Sequence, residues 1–136
     1  KDTREECKCR PDCISVVGGQ HILVDYKTTD NAETESFRSS AIKYGYDLQG
    51  GMYCEGYKAN AGNDAIFIFI AQEKKPPYAL NILQADEFML REGTQLFHDL
   101  LGIYHECKVT GNWYGYMGAD GDVQNLGLPR WLQKEF

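Results

Sequence analysis

This 136-residue chain has no apolar run near the roughly 18 residues that cross a membrane; its longest, Ala65 to Ala71, is strand-sized. A helical membrane span is excluded. Residues 1 to 6 are all polar or charged, so no secretory leader is visible. Positive charge is scarce: 14 Lys and Arg stand against 20 Asp and Glu, for a net charge of −6. That excludes a protein that coats nucleic acid by bulk attraction, but not an enzyme with a local basic groove. The five cysteines are an odd number with no disulfide-framework spacing, which points to a reducing compartment. His21, His98 and His105 fit no zinc or nucleophile spacing and read as structural. Repeats and low-complexity segments are absent.

What is present is 43% hydrophobic and 12% aromatic residues, at a length suited to one domain with a buried core. Gly18-Gly19 lies between two strand-like segments within Glu5 to Thr29 and suits a two-residue primed turn. Pairing outward from that turn sets Asp12 opposite Asp25 and Arg10 opposite Lys27. Directly opposed like charges destabilise a sheet, so two carboxylates about 5 Å apart make sense with a cation between them. Carboxylate oxygens suit Mg²⁺ or Mn²⁺, and the Tyr26 carbonyl offers a further oxygen. Lys27, two residues after Asp25, shares its face and is suited to orient a water or stabilise charge on a phosphorane. The competing reading is a solvated surface hairpin. The apolar lead Ile22-Leu23-Val24 into Asp25 argues instead for a site at a strand end. Cys7, Cys9 and Cys13 alternate onto the face away from Asp12, beside Val24 and Tyr26. They read as small buried hydrophobes on the core side rather than as a metal cluster.

Downstream, Phe37, Ala41, Tyr44, Leu48 and Met52 give Asn31 to Lys58 a helical period. Gly45 interrupts it and Asp47 is a candidate cap, which leaves one kinked helix or two. Ala65 to Ala71 reads as a central buried strand, Lys74 to Pro77 as a turn and Tyr78 to Leu83 as another strand. Asp86 suits the N-cap of a helix reaching about Cys107, with Met89, Leu96, Phe97, Leu100 and Tyr104 as its inner stripe. The Gly-, Trp- and Tyr-rich tail from Gly111 reads as loop packed on the domain. The predicted order is β-β-α-β-β-α, one α/β domain across residues 1–136. Gln49 and Tyr53 share a helix face, and Arg38 lies near it if the helix continues through Gly45. Gln suits a DNA backbone or base edge and Arg a phosphate, against a plain core role for both helix residues. Glu73, Lys74 and Lys75 read as a solvated turn.

The phrases C-R-P-D-C-I, V-D-Y-K-T-T and Y-D-L-Q-G-G-M-Y resemble motifs of the PD-(D/E)XK nuclease superfamily. Within it the likeness is to the RecE type, the exonuclease VIII group of phage and prophage exonucleases related in fold to lambda exonuclease. F-I-F-I-A-Q-E-K-K-P-P-Y and the tail L-P-R-W extend the resemblance from Glu6 to Trp131. It implies a restriction-endonuclease-like core, a central mixed sheet flanked by helices. It implies Asp12 and Asp25 as metal ligands, Lys27 as the catalytic lysine, and Gln49 and Tyr53 as the Q-x-x-x-Y pair that helps position DNA. The implied activity is a Mg²⁺-dependent 5′→3′ exonuclease on linear duplex DNA in phage-type recombination. Its relatives form homo-oligomeric rings and work with a single-strand annealing protein, in a bacterial cytoplasm. They also carry an acidic or His ligand on a helix before the first strand. Only six residues precede Cys7 here, so that ligand and its helical segment are expected upstream of Lys1. An iron–sulfur relative needs a cysteine cluster after the Q-x-x-x-Y helix, where Cys107 stands alone. The alternative function is a non-catalytic DNA-binding or assembly domain retaining the nuclease fold.

Overall fold

The computed structural model describes residues 3–116, 121 and 123–129. Its elements are β1 (Cys13–Val17), β2 (Gln20–Thr29), α1 (Thr34–Tyr44), α2 (Tyr46–Ala61), β3 (Ala65–Glu73), β4 (Leu80–Gln84) and α3 (Glu87–Thr110). The strands form one mixed sheet in the order β1-β2-β3-β4, with β2 and β3 parallel and the other two pairs antiparallel. This is the α/β architecture expected from the sequence.

The chain divides into two compact units, Lys1–Gly102 and Ile103–Phe136. The first holds the sheet, α1, α2 and most of α3. In the second, α3 closes at Gly111, whose N–H bonds the Cys107 carbonyl at 2.9 Å with φ at 74°. There Tyr104 meets the Trp113 ring edge-on at 5.8 Å. The described tail residues carry no helix or strand, and Arg130 and Trp131 of the L-P-R-W phrase lie outside the described residues. Among the described residues no helix is long and apolar enough to cross a membrane.

Gly18 and Gly19 take φ of 56° and 85°, the doubly positive pair that a primed turn requires. The register from Val17↔Gln20 to Cys13↔Val24 follows from that turn as expected. It stops one residue early for the expected facing of the aspartates. Pro11 has no N–H to continue a ladder, and Asp12 lies outside β1 with its N–H on the Val24 carbonyl at 3.1 Å. Asp12 is therefore not the ladder partner of Asp25, and Arg10 is not paired with Lys27.

Alternate residues of β2 and β3 turn toward the helices. Leu23, Phe67, Phe69 and Ala71 form the core with Ala32, Phe37 and Ala85, ringed by Tyr46, Tyr53 and Tyr57 of α2 and Met89 and Leu90 of α3. Asp25 belongs to this face and is 4% exposed. The core side is thus the Asp25 face, opposite to the expectation for the cysteines. Cys7 and Cys13 are exposed and Cys9 half-buried. Hairpin pairing separates two faces without stating which one later helices cover; Phe67 and Phe69 decide that.

The helical stretch after β2 is two helices. Gly45, at φ 67°, ends α1 with its N–H toward the Ala41 and Ile42 carbonyls and starts α2. A side chain pays strain in that left-handed region. At the start of α1 the Glu33 carboxylate accepts N–H groups from Glu35 and Ser36, which hold its pKa below the usual carboxylate value. Asp86 caps α3 as expected, accepting the Met89 N–H at 2.7 Å. The expected inner stripe of α3 holds in part: Met89 packs against the core and Phe97 is half-buried, but Leu96, Leu100 and Tyr104 are exposed. The helix meets α2 through Gly93 instead. A Cβ there would sit 1.9 Å from the Asp47 carbonyl oxygen, and one on Gly51 would sit 2.3 Å from the Thr94 nitrogen. Two small residues let these backbones touch, and the crossing holds α2 against the sheet.

Candidate active site

Strand alternation sends Leu23, Asp25 and Lys27 to one face, and the burial of Leu23 at 0% carries the aspartate into the core margin behind it. Asp25 stands beside Phe69 in the parallel ladder and Lys27 beside Ala71, so the site begins on the central pair of strands. Over it lies the first turn of α2. Gln49 donates from Nε2 to Asp25 Oδ1 at 2.7 Å, and its Oε1 accepts from Lys27 Nζ at 2.8 Å. One amide therefore bridges acid and base, and its orientation follows from the two partners.

Lys27 Nζ also approaches Asp25 Oδ2 at 2.7 Å, with the two side chains 20% and 6% exposed. That approach lies outside hydrogen-bond geometry, so Oδ2 is a buried oxygen with an ion pair and no hydrogen bond. A buried carboxylate oxygen held by an ion pair alone keeps lone pairs open, and a second cation beside the ammonium is a partner that suits them. The ammonium further lies 4.7 Å from the centroid of the Tyr46 ring.

Asp12 reaches the same region from the chain entering β1. It is exposed, and its Oδ2 accepts the Tyr26 N–H at 2.8 Å, which holds the carboxylate against the peptide bond that follows Asp25. The N–H and C=O of one strand residue point to the same edge. The Tyr26 carbonyl consequently points to the edge where β1 has already ended. Two carboxylates and a main-chain oxygen are hard donors of the kind a divalent ion takes. Among the described residues no group of three or more His, Cys, Asp or Glu side chains could hold a metal ion. The donor set fits a divalent ion only as part of a coordination shell completed by other oxygens.

The fold brings Asp12, Asp25, Tyr26, Lys27 and Gln49 together. Tyr53 lies one turn beyond Gln49 on the same face and meets the Phe67 ring edge-on at 6.1 Å, within the core. Arg38 is separated from that face by the break at Gly45 and pairs with Glu35 at 2.6 Å on the exposed side of α1. Glu73 is built into the fold, its Oε1 accepting the Ala32 N–H at 3.1 Å, while Lys74 pairs loosely with Asp30 at 3.5 Å. His21 bonds the Tyr57 hydroxyl at 2.7 Å and His98 pairs with Glu55 at 2.8 Å. Sequence reasoning missed Tyr46. Its signal was the spacing of 46, 49 and 53, which puts all three on one face of a helix.

A family model described as "PDDEXK-like domain of unknown function (DUF3799)" matches residues 3–120. Among solved structures, a protein from Eubacterium rectale that carries the provisional name exonuclease shares the fold, with a TM-score of 0.56 at 16% identity. The match covers 79% of this chain and 45% of that one, so the chain spans less than half the length of its structural neighbour. No curated protein matches the sequence.

Proposed function

The chain belongs to the PDDEXK-like domain family, and from that premise we propose that it is a divalent-metal-dependent nuclease that hydrolyses DNA phosphodiester bonds. The observation that carries this reading is Asp25 Oδ2, buried with lone pairs open, beside a lysine locked in position by Gln49. In this reading Asp12, Asp25 and the Tyr26 carbonyl hold Mg²⁺ or Mn²⁺. The ion, when bound, polarises the phosphodiester and acidifies a water. Lys27 keeps its ammonium at a fixed point of the site, where it orients the attacking water and offsets charge growing on the phosphate. Gln49 sets the spacing of Asp25 and Lys27. Tyr53, on the same face of α2, packs on Phe67 and anchors that helix to the sheet on the DNA side of the site. Arg38, carried by α1 away from this cluster, is proposed to meet DNA phosphate outside it. Its exposed pairing with Glu35 is worth little, so exchanging that carboxylate for a phosphate costs little.

The finer proposal is an exonuclease of the RecE type, acting 5′→3′ on linear duplex DNA in phage-type recombination. It would act as a ring of copies alongside a single-strand annealing protein. The test is digestion of a 5′-phosphorylated linear duplex and of a closed circle, with Mg²⁺ and with chelator. Metal-dependent loss of the linear substrate alone is expected. Survival of both substrates, together with no binding of Mn²⁺ in a titration, would leave a non-catalytic DNA-binding or assembly domain in its stead.

A further inference from the structure

We infer that Tyr46 is a positioning residue for Lys27, its aromatic face acting as the third wall of the socket that holds the ammonium. The inference deepens the nuclease reading and rests on the role given there to Lys27. A lysine carries its ammonium on a flexible four-carbon stem, so its position is set by what surrounds it. Asp25 Oδ2 and Gln49 Oε1 fix the ammonium from two sides, at 2.7 and 2.8 Å. Both contacts are also ones that a metal or a substrate would compete for. Tyr46 supplies a contact with no such competitor, because its ring face offers only the quadrupole, 4.7 Å from Nζ.

The ring itself is held. It stacks on Phe69 at 5.7 Å and 30°, and Phe37 lies against it at 5.7 Å. Phe69 is the ladder neighbour of Asp25, so the aromatic stack and the carboxylate share one stretch of sheet. Gly45, at φ 67°, starts α2 at the residue before Tyr46, and the Lys27 ammonium lies over the ring face there. Lys27 is only 20% exposed, and partial removal from water strengthens the attraction between a cation and a ring face.

The contact can be read without any turnover. In protein labelled with ¹³C-lysine, the Lys27 εCH₂ signal, identified by its disappearance in Lys27→Arg, should be shifted upfield by the ring current of Tyr46. Tyr46→Phe keeps the ring and should keep the shift and most of kcat. Tyr46→Leu should abolish the shift and lower kcat about tenfold with KM changed far less, as expected for loss of one partly desolvated cation–π contact. Should Tyr46→Leu fail to fold, Tyr46→Met takes its place, and the wild-type shift remains decisive. An unshifted Lys27 signal in the wild-type protein overturns the inference. So does a folded Leu or Met variant with unchanged kcat. If Lys27→Ala itself cleaves normally, the nuclease role of Lys27 fails, and the ring-current shift still reports separately whether Tyr46 holds the amine.

Discussion

Replacing Gly93 by alanine is expected to damage both the fold and the site, although Gly93 touches none of the site residues directly. The added Cβ would lie 1.9 Å from the Asp47 carbonyl oxygen and 2.3 Å from its carbon. A carbonyl oxygen and a Cβ do not approach within about 3 Å, so α2 and α3 must separate by roughly 1 Å. Both neighbours are backbone, so no rotamer change relieves the clash. Overpacking of this kind costs about 3 kcal/mol, which corresponds to a fall in Tm of roughly 10 °C for a chain of this size. The site suffers by geometry. Gln49 lies two residues from Asp47 and holds Asp25 at 2.7 Å; an outward shift of about 1 Å takes that contact beyond hydrogen-bond range. Gly102 in the same helix is the internal control. Its added Cβ meets no described atom within 4 Å, so alanine there should raise Tm by virtue of helix propensity alone. Thermal denaturation followed by circular dichroism measures both. A Gly93→Ala protein as stable as the Gly102→Ala protein would refute the close crossing and the account of how α2 is fixed.

The other expectations concern the site and the thiols. Lys27→Met should abolish cleavage and destabilise the apo protein by about 3 kcal/mol, because it leaves the Asp25 carboxylate buried and unpaired. Added Mg²⁺ should restore more Tm in that variant than in the wild type, and equal metal effects in the two would sink the pairing argument. Gln49→Leu should cost about 2 kcal/mol, since it removes the partner of Asp25 Oδ1 and of Lys27 together; urea unfolding at matched metal concentration tests it. Burial, helped by Asp64 and Cys9, pushes the Cys54 thiol up to about 11. Iodoacetamide at pH 8 should therefore modify exposed Cys7 and Cys13 well before Cys54, as read by peptide mass spectrometry. The same shift makes stability fall as pH rises from about 9 toward about 11, because the unfolded chain releases the Cys54 proton first.

Much of the hairpin was legible because its information is local. Gly18-Gly19 permits one turn geometry, and the turn dictates every pair from Cys13 to Val24. Legibility stopped at Pro11, where a missing N–H ended the strand and let Asp12 swing to the Tyr26 amide. The covered face was not legible from the hairpin, because the residues that select it, Phe67 and Phe69, arrive about forty residues later by parallel pairing. Gln49 stood out by its spacing with Tyr53. Its partners did not, since strand and helix spacings do not say which helix turn lands on which strand residue. The break at Gly45 was visible as a glycine in a helical period. Its consequence, a helix start that places Tyr46 under the Lys27 ammonium and leaves Arg38 behind on α1, needed the third dimension.

The two halves of the site also differ in when they come into being. Asp12 directly precedes, and Asp25 directly follows, the paired residues of a single hairpin, and hairpins close within microseconds. The clamp on Lys27 waits for a slower event, the parallel joining of β2 to β3, whose first pair is His21 with Ala65 and whose loop must close before any contact rewards it. The expected order is that the acidic half gathers before the basic half is held still, and pulse-labelled hydrogen exchange during refolding tests it. Divalent cation present at that stage is expected to meet carboxylates already gathered, so refolding in Mg²⁺ should order the remaining chain around them sooner than refolding in chelator.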